Sequence, residues 1–100
     1  MQRNIALIGS TGSIGTQALE VVRQNADRFS IAALTAHRNA DLLIRQAKMF
    51  SPRVVGISDE SQYEMVKLAL PDIEVVGGAD AHALALEMSG ACLLYTSRCV

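Results

Sequence analysis

The chain of 100 residues is poor in aromatic side chains and carries almost no excess charge. It has no tryptophan and only 4% aromatic residues, which is too few for a surface that stacks nucleic-acid bases. Its formal net charge is −1, so no basic field is available to attract nucleic acid or anionic lipid. We therefore expect neither nucleic acid nor a membrane surface as a partner.

Cysteine is equally scarce. Cys92 and Cys99 both lie near the C-terminus, and their spacing matches neither a CxxC motif nor a set of metal ligands. We interpret them as incidental thiols in a reducing compartment. No apolar run approaches the roughly 20 residues that span a bilayer, and the first apolar run leads directly into a glycine loop instead of a signal-peptide cleavage site. These absences predict a cytoplasmic protein.

Half of the residues are hydrophobic, and they fall into short runs that alternate with amphipathic segments. Continuous apolar runs are typical of strands buried on both faces, whereas apolar residues three and four positions apart mark one face of a helix. Strands are predicted at residues 5–8, 29–36, 53–58 and 73–76. The predicted inward faces of four helices are Ile14, Ala18, Val21 and Val22; Leu43, Ala47 and Phe50; Tyr63, Val66 and Leu70; and Ala81, Leu84, Ala85 and Met88.

About four strand–helix units in succession predict an α/β fold. The expected architecture is a Rossmann-like, doubly wound parallel sheet, here incomplete, with right-handed crossovers. Residues 1–90 form the predicted domain. Residues 91–100 break the composition, so we predict an anomalous tail there, although the segment ACLLY has the character of a strand. The first strand of such a sheet is central, and without a neighbour on its second side it is expected to be an exposed edge that favours self-association. The alternative is that the segment ACLLY covers this edge in part.

A glycine loop follows the first strand. In the segment IALIGSTGSIGTQALEVV, Gly9, Gly12 and Gly15 recur at every third position between a strand and an amphipathic helix. We expect Gly9 to make the turn, Gly12 to let the backbone approach a phosphate, and Gly15 to let the helix pack closely. The unpaired N–H groups of the first helical turn would face that phosphate. Three hydroxyl groups are predicted around the same point, on Ser10, Thr11 and Ser13. The pattern predicts a dinucleotide site; the alternative is a tight turn without a ligand.

The residues after the second strand indicate which dinucleotide binds. Enzymes that prefer NAD usually place Asp or Glu here, where it accepts a hydrogen bond from the ribose 2′-hydroxyl. This chain has His37, Arg38 and Asn39, with no carboxylate before Asp41. Because Arg38 can form a forked contact with a 2′-phosphate, we predict NADPH. As alternatives, Asn39 could cap the second helix, Arg38 could be a solvated charge, and His37 could only line the loop. His82 is predicted on the helix surface away from the loop.

These residues resemble the N-terminal part of the 1-deoxy-D-xylulose 5-phosphate reductoisomerase family. The resemblance rests on the intact GSTGSIG loop, on the basic residue and asparagine at 38–39, and on the F-x-P step at 50–52, and it covers about residues 3–88. It implies an NADPH-dependent enzyme that converts 1-deoxy-D-xylulose 5-phosphate, a phosphosugar, into 2-C-methyl-D-erythritol 4-phosphate in non-mevalonate isoprenoid biosynthesis. It also implies a homodimer and a divalent metal, Mg²⁺ or Mn²⁺, that polarises the substrate carbonyl.

Transferred position by position, the resemblance assigns two groups of residues to the cofactor. The pyrophosphate and nicotinamide side would be lined by Thr11, Gly12, Ser13 and Ile14, within the loop that Gly9 and Gly15 delimit. The 2′-phosphate side would be lined by His37, Arg38 and Asn39. The family's metal ligands, substrate-phosphate contacts and mobile flap have no counterpart in the 100 residues. We therefore expect this chain by itself to lack catalytic residues. Because its first strand would be an exposed edge, we also expect it to bind NADPH weakly.

Two further functions are compatible with the glycine loop. One is the NADP-binding domain of an aspartate-type semialdehyde dehydrogenase, which requires a catalytic cysteine; neither Cys92 nor Cys99 has a suitable sequence context. The other is a nucleotide-binding fragment without catalysis.

Overall fold

A computed structural model describes residues 3–89 and 92–95. Strands and helices alternate along the chain, as the sequence pattern predicts. The strands are β1 Arg3–Leu7, β2 Phe29–Ala36, β3 Val54–Ile57, β4 Glu74–Gly77 and β5 Cys92–Tyr95. The helices are α1 Ser13–Gln24, α2 Ala40–Phe50, α3 Tyr63–Ala69 and α4 Ala81–Ser89, with a short 3₁₀ helix at Glu60–Gln62 before α3.

All five strands belong to one parallel sheet in the order β4-β3-β2-β1-β5. The chain steps outward from β1 to β4, and after α4 it returns to the opposite side of β1. Strand order therefore reverses beside β1, which confirms the doubly wound, Rossmann-like architecture.

The expectation that β1 is an exposed sheet edge is wrong, and the alternative that the segment ACLLY covers it is confirmed. β5 pairs with β1 in parallel, with Ile5 opposite Cys92 and Ala6 opposite Leu93. A strand with neighbours on both sides offers no free row of backbone groups, so self-association through β1 loses its structural basis. Within the described residues the edges are β4 and β5. Cys99 lies outside the described residues, and the anomalous character of residues 91–100 stays a prediction.

The two faces of the sheet are packed differently. One face carries large side chains, among them Leu7, Leu34 and Ile57, which are fully buried in a cluster shared with the first three helices. The other face carries small ones, such as Ala6 and Ala33, against α4. Small residues let a helix approach a sheet closely. α4 therefore lies near the strand ends that also hold the glycine loop.

Three residues predicted to face inward are largely exposed instead: Val21 is 55%, Leu84 40% and Met88 47% exposed. On α1 the buried stripe runs through Leu19 and Val22, and Val21 falls on the other flank. On α4 the fully buried residues are Ala81 and Ala85, and Ala85 packs against the small side chains of the sheet. The remaining predicted inward positions are buried or partly buried, apart from the Ile14 side chain, which lies outside the described part of the structure.

Candidate functional site

The glycine loop lies at the carboxyl end of β1, directly before α1. Gly9 has a φ of 78°, in the left-handed region that favours glycine, and its carbonyl accepts the N–H of Gly12 at 3.2 Å. This tight turn delivers the chain to Gly12, the N-cap of α1. A Cβ added at Gly12 would have only ordinary contact with the protein, 3.6 Å from the Gly9 carbonyl oxygen. The space beside Gly12 is thus open to a ligand.

Gly15 is required by close packing within the loop. A Cβ at this position would lie 2.3 Å from the Gly9 carbonyl oxygen and 2.7 Å from Cα of Ser10. Real Cβ atoms are not found at such distances, so the first turn of α1 can only close onto the loop with glycine here. The helix approaches the backbone of Gly9 and Ser10 in the loop, whereas the glycine spacing predicts that it packs closely on the strand.

The first turn of α1 presents unpaired backbone donors. Thr16 is the first residue whose N–H finds a helical acceptor, the carbonyl of Gly12 at 2.9 Å. Among the described contacts, the N–H groups of Ser13 and Gly15 have no acceptor. Free N–H groups and the positive end of the helix dipole favour an anion at this point. The arrangement matches the needs of a pyrophosphate.

Ser10 does not belong to the phosphate donors, and its prediction as one is wrong. It is fully buried, and its hydroxyl donates to Oε1 of Gln46 at 2.7 Å. The Gln46 amide in turn donates to the Ser10 carbonyl at 2.9 Å. This reciprocal pair ties the loop to α2. Thr11 is partly exposed and Ser13 is exposed, so both remain available to a ligand.

A second tie reaches the loop from β2 and α4. The N–H of Gly9 donates to the Thr35 hydroxyl at 3.1 Å, and the same oxygen lies 2.6 Å from Nδ1 of His82. The prediction that His82 lies away from the loop is therefore wrong. A signal was present in the sequence, since a threonine inside a buried apolar strand must find hydrogen-bond partners.

The protonation state of His82 follows from its surroundings. Burial lowers the pKa of His82, and the nearby charge of His37 lowers it further. At neutral pH the imidazole is therefore mainly uncharged, and its Nδ1 shares a hydrogen bond with the Thr35 hydroxyl. The chain of bonds then runs from the Gly9 N–H through the Thr35 hydroxyl to His82.

The second predicted group, His37, Arg38 and Asn39, lies at the carboxyl end of β2, beside the glycine loop. The two strand ends are joined directly, because the Ser10 N–H donates to the Thr35 carbonyl at 2.8 Å. All three residues of the group are exposed. The structure thus brings the two predicted halves of the cofactor site to one edge of the sheet.

Asn39 caps α2, which confirms one of the alternatives left open by the sequence. Its side-chain oxygen accepts the N–H of Leu42 at 3.3 Å. The His37 ring is held by the next strand: its Nδ1 lies 2.6 Å from the Ser58 hydroxyl. Arg38, in contrast, extends into solvent with its side chain 75% exposed.

A carboxylate that sequence reasoning missed lies beside Arg38. Nε of Arg38 is 3.4 Å from Oδ2 of Asp59, which follows β3. The other Asp59 oxygen accepts the N–H of Ser61 at 3.0 Å and its hydroxyl at 2.6 Å. These bonds with Ser61 are the main reason why the pKa of Asp59 is lowered, and the charges of Arg38 and His37 add to it. Asp59 is ionised at neutral pH.

Within residues 3–89 and 92–95, no three His, Cys, Asp or Glu side chains come together as a metal site. No helix in the same residues is long and apolar enough to cross a membrane.

Comparison with known proteins agrees with this geometry. The sequence profile of 1-deoxy-D-xylulose 5-phosphate reductoisomerase matches residues 5–97. The reductoisomerase of Porphyromonas gingivalis is 45% identical over 85 residues, which is 85% of this chain and 22% of that protein. The one from Bacteroides thetaiotaomicron is 49% identical over 82 residues, 80% of this chain and 21% of the relative. The chain thus spans about a fifth of the length of these curated relatives.

Solved structures show the same fold. The reductoisomerase of Zymomonas mobilis in complex with NADPH superposes with a TM-score of 0.84 at 39% identity, covering 91% of this chain and 24% of that one. A reductoisomerase in complex with magnesium is only 23% identical, with a TM-score of 0.74, and supports the fold alone. From the match over residues 5–97 and these relatives, the chain belongs to the 1-deoxy-D-xylulose 5-phosphate reductoisomerase family.

Proposed function

We propose that this chain is the NADPH-binding part of a reductoisomerase that converts 1-deoxy-D-xylulose 5-phosphate into 2-C-methyl-D-erythritol 4-phosphate. The observation that carries the proposal is the open glycine loop at the start of α1, with Arg38 at the end of the neighbouring strand. The NADPH complex of the 39% identical relative supports the choice of cofactor.

The glycine loop would hold the pyrophosphate. The free N–H groups of Ser13 and Gly15 point along the axis of α1 toward an anion, and the glycine at position 12 leaves room for its oxygens. The hydroxyls of Thr11 and Ser13 are available as further donors. We assign this side of the cofactor to Gly9, Thr11, Gly12, Ser13, Ile14 and Gly15.

The end of β2 would hold the adenosine 2′-phosphate. Arg38 is exposed and always charged, and its planar guanidinium can donate two parallel hydrogen bonds to a phosphate. Asn39 uses its side-chain oxygen for the helix cap, so its amide nitrogen remains the group that can donate to the phosphate. The His37 ring would line the same side of the cofactor. NADPH bound in this way would supply the hydride for the reduction.

The metal and the substrate would bind to the part of the whole protein that corresponds to the unmatched length of the relatives. We propose that Mg²⁺ or Mn²⁺ and the phosphosugar bind there, since the described residues contain no metal cluster. We also propose a homodimer for the whole protein, as the family resemblance implies, and a cytoplasmic location, in keeping with the scarce cysteine of this chain. No catalytic residue is assigned within this chain.

The Arg38→Glu variant tests the cofactor assignment. A lost charged hydrogen bond is worth roughly 1.5–3 kcal/mol, so NADPH should bind about 10- to 100-fold more weakly while NADH changes little. Both dinucleotides are titrated by calorimetry or fluorescence. Arg45→Glu, on the exposed side of α2, is the matched control for the change in net charge. An unchanged ratio of the two affinities in Arg38→Glu would refute the NADPH assignment.

A further inference from the structure

We infer that Asp59 determines cofactor specificity by opposing the 2′-phosphate that Arg38 attracts, and so narrows the preference for NADPH over NADH. The inference rests on the proposed NADPH site. Its starting point is the 3.4 Å contact between Oδ2 of Asp59 and Nε of Arg38. A negative charge therefore stands beside the cation expected to bind the phosphate.

The carboxylate is the fixed partner of this pair. Its Oδ1 is held by the N–H and the hydroxyl of Ser61, and the Asp59 N–H donates to the His37 carbonyl at 2.8 Å. The side chain of Asp59 is 23% exposed, compared with 75% for that of Arg38. Arg38 can move toward a ligand, whereas Asp59 stays at the ends of β2 and β3. A phosphate that reaches Arg38 consequently comes near a carboxylate that cannot withdraw.

The two cofactors respond differently to such a carboxylate. A phosphate monoester carries about −1.5 to −2 charges at pH 7 and is repelled. The ribose 2′-hydroxyl of NADH is neutral, and a carboxylate at this end of a dinucleotide fold can accept its hydrogen bond. Asp59 should therefore weaken NADPH binding without weakening NADH binding. Because the groups are partly solvated, we expect an effect of about threefold to tenfold.

Asp59→Asn is the direct test, made in the full 100-residue chain. Asparagine keeps the oxygen that Ser61 contacts and is as good a cap as aspartate, so the turn is retained while the negative charge is lost. Dissociation constants of NADPH and NADH are measured at low and high ionic strength. NADPH should bind about threefold to tenfold more tightly at low salt, NADH should bind no more tightly, and the gain for NADPH should shrink at high salt.

Glu60→Gln is the matched control. It removes the same charge one residue further on, where the carboxylate faces Gly78 instead of Arg38. NADPH affinity should stay within about twofold of the original value, because a change in net charge alone acts weakly through solvent. Asp59→Ser, which also retains a capping oxygen, provides a second neutral variant if Asp59→Asn unfolds.

Three outcomes would overturn the inference: unchanged NADPH affinity in Asp59→Asn, weaker NADPH binding in that variant, or an equal gain in Glu60→Gln. Weaker binding would mean that Asp59 holds Arg38 ready for the phosphate. If the unmodified chain binds neither dinucleotide even weakly, the proposed function fails and this inference with it. If it binds NADPH but Asp59 has no influence, only the inference fails.

Discussion

The hydroxyl of Thr35 joins His82 to the glycine loop: it lies 2.6 Å from Nδ1 of His82 and accepts the N–H of Gly9 at 3.1 Å. These residues come from three elements, β2, α4 and the loop after β1. Thr35 is fully buried. Without its hydroxyl, the Gly9 N–H and the His82 ring nitrogen would both lose a partner, and buried polar groups left unpaired are costly.

Replacing Thr35 with valine should therefore loosen the loop at Gly9. The change keeps the shape of the side chain and removes the hydroxyl. We expect amide hydrogen exchange at Gly9 to become about tenfold faster, from a loss of roughly 1–3 kcal/mol. Exchange is followed residue by residue by NMR. Thr35→Ser keeps the hydroxyl and should leave exchange at Gly9 slow; equal rates in both variants would contradict the role of this bond.

Stability should depend on pH through His82. Burial, with the charge of His37 as a second cause, places the pKa of His82 below its ordinary value in the folded chain. The unfolded chain therefore takes up a proton at higher pH, near about 6.5. The stability that uncharged His82 contributes is fully present above this pH. The free energy of unfolding should fall as the pH drops from about 6.5 toward the lower pKa of His82 in the folded state.

Urea unfolding of the original chain and of His82→Gln, measured at pH 7.5 and at successive lower values, tests this dependence. The variant lacks the titrating ring, so its stability should decline less with falling pH. Parallel curves for the two proteins would show that His82 does not contribute.

Gly15 and Gly12 should respond differently to the same small change. Gly15→Ala places a Cβ 2.3 Å from the Gly9 carbonyl oxygen, so the backbone must shift. Overpacking of this kind costs about 1–3 kcal/mol or more of unfolding free energy. Gly12→Ala, with its nearest contact at 3.6 Å, should fold normally but obstruct the pyrophosphate. Thermal denaturation and NADPH titration separate the two effects, and equal stability of both variants would contradict the packing argument.

We expect the side-chain oxygen of Asn39 to cap α2 and its amide nitrogen to donate to the cofactor phosphate. Asn39→Ala loses the cap on Leu42 and should lower the unfolding free energy by about 1 kcal/mol. Asn39→Asp keeps a capping oxygen and should retain stability, yet its charge should weaken NADPH binding through repulsion of the 2′-phosphate. Denaturation and titration are measured on both variants. Full NADPH affinity in Asn39→Asp would exclude Asn39 from the phosphate side.

The parts predicted correctly from the sequence are those that local patterns determine. Residues 29–36, apolar apart from Ser30 and Thr35, form β2 with the predicted bounds, and Asn39 and Pro52 mark the two ends of α2. The glycine spacing identified the turn at Gly9, because glycine adopts the positive φ of such a turn more readily than other residues.

The errors at the candidate site involve partners that are distant in sequence. Ser10 turns inward because Gln46 offers it a reciprocal pair, and Asp59 reaches Arg38 only because β3 lies beside β2. His82 contacts Thr35 because α4 crosses back over the sheet. Helix periodicity shows that a residue shares a face with its neighbours, but it does not show which strand residue that face will meet.

The position of β5 also sets an order for folding. Among the described strands β1 comes first in the sequence, yet its second neighbour, β5, comes last. Contacts between such distant segments form late, because a long loop must close before they stabilise anything. As the chain leaves the ribosome, β1 to β4 can assemble while the second side of β1 stays bare. The glycine loop, at the end of β1, is therefore flanked on both sides only when β5 has emerged.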